Sequence, residues 1–260
     1  MILKNIFIEN HTKFNSEICI VGSGMSAQIL ASSFKNKKII IVESGKIDLD
    51  DKVQYLNSFR EIGINFRKNH QNRIRQLGGS ANLWANQLMK LDTDEVDGRN
   101  WIINDFSWPI SYNELNNYYN RVIKLIYKNN FQKNNIKNSK FEEYFLKDGL
   151  FKFKNHYWPS KVQQFNQNSK FTNDLLKSEN IKFIENFTCT DLQVNKNLSS
   201  IECIDIESEN KSCKIFSKTF ILACGALENA RILLNNAEKN KIFHNKNTGR
   251  YFMDHPRQTL

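Results

Sequence analysis

Two glycines and one carboxylate carry the most specific chemistry in this sequence. Gly22 and Gly24 stand in Gly22-Ser23-Gly24-Met25-Ser26-Ala27, a G-x-G-x-x-A turn, and Glu43 follows at the spacing of roughly 20 residues expected of a dinucleotide site. Gly22 permits a tight turn. Gly24 has no Cβ, so its backbone can approach a pyrophosphate closely, and Ala27 is small enough for a helix to pack against a strand. Glu43 can accept hydrogen bonds from both hydroxyls of a ribose, and its charge repels a 2′-phosphate.

Those residues work only if regular elements hold them in place. Ile18-Cys19-Ile20-Val21 has the length and β-branched content of a buried strand. The pattern predicts a helix from about Ser26 to Phe34 and a second buried strand over Ile39–Val42, ending at Glu43. The helix N-terminus then offers unpaired N–H groups and positive potential to phosphates. A bare glycine turn also occurs in unrelated α/β proteins. Strand, turn, helix, second strand and terminal acid together point to a nucleotide site.

The chain has 260 residues, enough for one large or two small domains, with 40% hydrophobic and 12% aromatic residues. Neither the apolar runs nor the N-terminal segment MILKNIFIENHTKF has the length of a membrane span or the form of a signal peptide, which predicts a cytoplasmic protein. The five cysteines (Cys19, Cys189, Cys203, Cys213, Cys224) form no C-x-x-C pair and read as reduced, packed thiols. A net charge of +10 comes from lysines scattered along an asparagine-rich chain, so nucleic acid is not an expected partner. No His, Cys or carboxylate group has metal-ligand spacing.

Further along, Arg73-Ile74-Arg75-Gln76-Leu77-Gly78-Gly79-Ser80-Ala81-Asn82-Leu83-Trp84 holds a glycine pair able to take unusual dihedrals or lie close to a ligand. Ser111 with Glu114 forms a capping box in Trp108-Pro109-Ile110-Ser111-Tyr112-Asn113-Glu114-Leu115. A helix over Phe171–Lys177 and strands near Ile181–Ile184, Thr188–Val194, Ile201–Glu207 and Cys213–Phe216 read as a β-meander. A separate buried strand follows in Lys218–Cys224, then Gly225 and a helix. The last motif is Gly249-Arg250-Tyr251-Phe252-Met253-Asp254-His255-Pro256.

These elements, in this order, resemble the glucose–methanol–choline (GMC) family of flavin oxidoreductases over nearly the whole chain, with the sugar- and polyol-oxidising branch most similar. The resemblance implies an α/β fold: an FAD/NAD(P)-binding Rossmann-like domain, with a parallel sheet plus β-meander, at residues 1–92 and 160–260, and part of a substrate or cap domain at 93–159. It implies FAD, with Gly22, Ser23, Gly24, Ser26 and Ala27 at the pyrophosphate turn and Glu43 with Ser44 at the ribose. Gly78, Gly79, Ser80, Asn82 and Leu83 would lie along the flavin, and Cys189 would meet adenine through its backbone. Ala223 and Gly225 would approach from the last strand. Some members link FAD to a histidine in the Gly-Gly loop. Leu83 stands at the corresponding position, so FAD is expected to be held non-covalently.

The implied reaction is oxidation of a CH–OH group in a sugar, polyol or other alcohol, with hydride passing to flavin N5. Family members run to roughly twice this length, and their catalytic histidine lies in the second half. None of His11, His70, His156, His244 and His255 matches it, so no catalytic residue is assigned and His255 is expected to be structural. The expectation is therefore a truncated or split enzyme, with a second chain as the partner that supplies the remaining half. The alternatives are a non-catalytic remnant and, less favoured by the meander and the Gly-Gly-Ser loop, a NAD-dependent Rossmann enzyme.

Overall fold

The structure is a computed structural model. It describes residues 1–60, 62, 73–84, 90–99, 107–127, 131–133, 157–159 and 164–253. In chain order the strands are β1 (Ile2–Leu3), β2 (Lys13–Val21), β3 (Ile39–Glu43), β4 (Phe131–Lys133), β5 (Tyr157–Pro159), β6 (Ile181–Glu185), β7 (Thr188–Val194), β8 (Ile201–Ser208) and β9 (Lys211–Leu222). The helices are α1 (Met25–Ser33), α2 (Asp51–Gln54), α3 (Thr93–Asp97), α4 (Tyr112–Tyr127), α5 (Lys170–Leu176) and α6 (Ala226–Lys239). The chain forms two compact units: Met1–Leu83 with Gln164–Leu260, and Trp84–Gln163.

The first unit is α/β. Its seven strands run in the order β1-β6-β3-β2-β9-β8-β7. Neighbours from β1 to β9 are parallel, and β9, β8 and β7 form an antiparallel meander. Because side chains alternate across a strand, each parallel strand feeds two layers. Cys19, Val21, Ile40, Val42 and Ile184 enter one core, which Ile232 and Leu233 of α6 cover. Ile20, Ile39, Ile41, Ile181 and Phe183 enter the other, covered by Ala27 and Ala31 of α1 and by Leu175 of α5. Burying each such isoleucine contributes about 1.5–3 kcal/mol, which is why the strands read as continuous apolar runs. Asn236 pins α6 to β7, accepting from the Leu192 N–H at 2.9 Å.

Two strands differ from expectation. β2 begins five residues before its apolar run, because Lys13–Ser16 pair with Lys214–Ser217 of β9. The meander strand and the following buried strand are one element, β9. No glycine or proline breaks Lys211–Leu222, and the polar stretch through Ser217 is carried by its β2 partners, with Ser16 and Ser217 hydroxyls 3.2 Å apart.

In the second unit, Asp92 and Glu95 cap α3 reciprocally and Val96 is fully buried. At the start of α4, the Glu114 N–H donates to Ser111 Oγ at 3.2 Å, as the capping pattern requires. β4 and β5 pair antiparallel. His70, His156 and the Asp254-His255-Pro256 end of the last motif lie outside the described residues.

Candidate functional site

The parallel strands deliver their C-terminal ends to one place. The Gly22 N–H donates to Val42 O at 2.7 Å, and the Ala223 N–H donates to Val21 O at 2.8 Å, so the ends of β3, β2 and β9 are stitched together. Gly22 has φ +97°, and a Cβ there would lie 2.5 Å from Ala223 O. Only glycine meets both demands. Gly24 is the N-cap of α1, and its side-chain direction is open to 3.8 Å, where Gly78 O stands. No side chain caps α1, which leaves its first N–H groups available, with Ser26 exposed in that first turn. Ala27 is wholly buried against the sheet.

Glu43 is buried at the end of β3, and its own neighbours satisfy it. Oε2 accepts from the Ser23 N–H at 3.0 Å and the Ser23 hydroxyl at 2.7 Å. Oε1 accepts from the Gly45 N–H at 2.8 Å and the Ser44 hydroxyl at 3.3 Å. A carboxylate has about four lone-pair sites, so a ligand hydroxyl reaching Glu43 takes the place of a serine hydroxyl. Ser44, at the longest distance, is the easiest to displace.

The Gly-Gly loop closes over the same turn. Gly78 and Gly79 have φ +92° and +55°, Gly78 bridges to Gly24, and the Gly78 N–H donates to Ser23 Oγ at 3.2 Å. A short 3-10 turn, Gly79–Asn82, follows. Asn82 Nδ2 donates to Leu77 O at 2.9 Å, while its buried Oδ1 has no hydrogen-bond donor among the described residues. Ser80 is exposed, and Leu83 is 52% exposed at the loop's end.

The third approach is the turn after β9. Gly225 has φ +82°, and a Cβ there would meet nothing within 4 Å, so open space lies in front of it. Asn229 holds the turn, accepting from the Cys224 N–H at 3.0 Å and donating to Leu222 O at 3.2 Å. The start of β7 joins this end of the sheet through Phe187 N–H to Glu43 O at 3.0 Å and Asn186 N–H to Gly45 O at 2.9 Å. Cys189 lies on β7 opposite Ile206. Burial pushes both the Cys189 and Cys224 thiols up to about 12, so neither is a thiolate nucleophile near neutral pH.

Gly22–Gly24, Glu43, Gly78–Gly79 and Ala223–Gly225 thus converge, while Ser80 and Leu83 face solvent. Of the described histidines, His11 precedes β2, at the opposite end of that strand from Gly22, and His244 follows α6. Among the described residues no His, Cys, Asp and Glu cluster could hold a metal ion.

Sequence reasoning missed Asn229 and a cluster beside the site. Glu228 of α6 lies 3.1 Å from Arg73, 3.0 Å from Arg75 and 2.9 Å from Arg231. Burial opposes its charge, but Arg75 and Arg231 outweigh that effect and hold the carboxyl below its ordinary value. The i,i+3 spacing of Glu228 and Arg231 was visible. The pairing with Arg73 and Arg75, about 150 residues away in sequence, had no local signal.

Neither a protein-family model nor a curated protein sequence matches the chain. Solved structures do. Pyridoxine 4-oxidase from Mesorbium loti superposes with a TM-score of 0.54 at 16% identity, covering 85% of this chain and 52% of that one. A formate oxidase gives 0.53 at 14% identity, with 88% and 48% covered. A variant of the Aspergillus oryzae RIB40 formate oxidase, studied for FAD modification, gives the same values. Both enzymes are GMC oxidoreductases. This chain shares the fold of the matched half of each of them. The chain spans about half the length of these relatives in structure, and no described helix is long and apolar enough to cross a membrane.

Proposed function

We propose that this chain is the FAD-binding part of a GMC-type oxidoreductase that oxidises a CH–OH group of a small alcohol, polyol or sugar. The observation that carries the reading is the convergence of three glycine turns at the carboxyl ends of parallel strands, with open space in front of Gly225. The residues fit FAD on their own geometry. Gly24 and Gly225 leave room where a side chain would intrude, the first turn of α1 presents uncapped N–H groups to a diphosphate, and the orphaned Asn82 Oδ1 needs a donor such as a flavin ring N–H.

In this reading Gly22, Ser23, Gly24 and Ser26 hold the diphosphate, with Ala27 packing the helix behind them and Ala223 and Gly225 on the facing side. Glu43 and Ser44 meet the ribose, and the β7 backbone at Cys189 meets adenine. Gly78, Gly79, Ser80 and Asn82 orient the flavin. Bound FAD supplies a two-electron acceptor that takes the hydride of the CH–OH carbon. Leu83 has no atom able to form a bond to the flavin, which supports non-covalent binding. The free thiols fit a cytoplasmic protein.

The part of the GMC architecture beyond this half is supplied by further polypeptide, which also provides the base for the hydroxyl proton. A second reading is a non-catalytic FAD-binding remnant, since of the described histidines His11 lies at the opposite end of β2 from Gly22 and His244 follows α6. The test is the absorbance spectrum of the purified chain, with bound ligand released and identified by mass. A yellow protein near one FAD per chain is expected. A colourless chain that takes up no added FAD would overturn the proposal. Bound FAD in a chain that stays inactive beside every complementing polypeptide would favour the remnant.

A further inference from the structure

Glu228 joins two parts of the site that are far apart in sequence. It lies in the first turn of α6, just after Gly225. Its partners Arg73 and Arg75 sit in the segment that runs into Gly78-Gly79. Glu228 and Arg75 side chains are 13% and 10% exposed. Arg75 is fixed at every nitrogen: Nε donates to Asn57 Oδ1 at 2.9 Å, Nη1 to Ser44 Oγ at 2.9 Å and Nη2 to Leu56 O at 3.1 Å, besides Glu228. Arg73 also donates to Asn57 O and stacks its guanidinium 5.5 Å over Phe59. Arg75 therefore links the turn after Glu43, the approach to the glycine pair and α6.

We infer that Glu228 is a positioning residue for the cofactor: its carboxylate sets the Gly78–Asn82 loop against the Gly225 turn, and so fixes the width of the space FAD occupies. The inference rests on the FAD reading above. Three guanidiniums around one carboxylate leave an excess of two positive charges. Without the carboxylate they repel one another, and repulsion pushes the loop away from α6. The partners are not equivalent. Arg73 and Arg75 bind across the site, whereas Arg231 is on the same helix as Glu228, is 41% exposed, and ties nothing to the loop.

That asymmetry separates positioning from general stabilisation. The experiment is an FAD titration of the purified chain, followed by flavin fluorescence and visible absorbance, at a temperature where circular dichroism shows every variant folded. Glu228→Gln should bind FAD about tenfold more weakly, the scale of losing a charge-assisted hydrogen bond, and should alter the shape of the visible flavin band. Arg231→Gln should stay within about twofold of the parent, because it leaves both cross-site bonds intact. Should Glu228→Gln not fold, Arg73→Gln cuts the outer cross-site bond, together with the Arg73 contacts to Asn57 O and Phe59, and leaves the Arg75–Glu228 bond in place. It should show the same change in band shape with a smaller loss of affinity. Binding by folded Glu228→Gln or Arg73→Gln within about twofold of the parent, with an unchanged band, would overturn the inference. So would an equal loss in Arg231→Gln. A parent chain that binds no FAD sinks the FAD reading itself and this inference with it.

Discussion

Two carboxylates at the same end of the sheet, buried Glu43 and partly buried Glu228, are satisfied in opposite ways. Among the described residues Glu43 accepts only from neutral groups, all within its own turn and the adjacent one: Ser23, Ser44 and Gly45. Glu228 accepts from three cations, two of them delivered from a distant segment. The first arrangement is local and braces a turn. The second is long-range and holds two segments together. A neutral brace loses little charge energy when altered but leaves donors unmet. A charged joint left incomplete leaves like charges confronting one another out of water.

This contrast predicts its own order of effects. The largest belongs to Glu228→Ala, which strands Arg73 and Arg75 in a mostly buried place and should cost about 3–5 kcal/mol in urea unfolding at neutral pH. Glu43→Ala removes acceptors from the Ser23 and Gly45 N–H groups, which neutral water can partly replace, and should cost about 1–3 kcal/mol. If the two losses prove equal, charge does not distinguish the two sites.

Acid sharpens the comparison. The folded Glu228 carboxyl sits below its ordinary value of 4.5 because of Arg75 and Arg231, against the opposing effect of burial. Its contribution is therefore complete above pH 4.5 and fades as pH falls through the depressed folded value. Denaturant midpoints of the parent should drop across that acid window, and Glu228→Gln should show a flatter profile there. A parallel drop in both proteins would place the acid sensitivity elsewhere.

The same contrast explains what the sequence revealed. Gly22, Gly24, Ala27 and Glu43 were legible because a nucleotide turn is a local device: its geometry is set within one strand–helix–strand unit. The meander was legible for a similar reason, since turns at Asn195–Ser200 and Glu209–Asn210 separate short apolar runs. Polar Lys13–Ser16 was not legible as strand. Its place in β2 depends on the partner Lys214–Ser217, about 200 residues away, and on hydroxyls that pair across the sheet. The Arg73–Arg75–Glu228 joint failed to appear for that reason too. Charged residues in isolation read as solvated surface, and only the fold brings these together.

The smallest effect comes from an ion pair with the same chemistry on the surface. Lys170 and Asp174 on α5 stand 2.8 Å apart, closer than Glu228 to any of its partners, yet their side chains are 75% and 56% exposed. Water already solvates both groups, so the pair gains little by forming and loses little when broken. Lys170→Gln should change stability by no more than about 0.5 kcal/mol, and that change should vanish in high salt. The Glu228→Ala loss should survive the same salt, because a joint shielded from solvent is screened much less. A salt-sensitive loss at Glu228 would mean that water reaches the joint. Glu228 would then differ from Lys170–Asp174 in the number of its partners and not in kind.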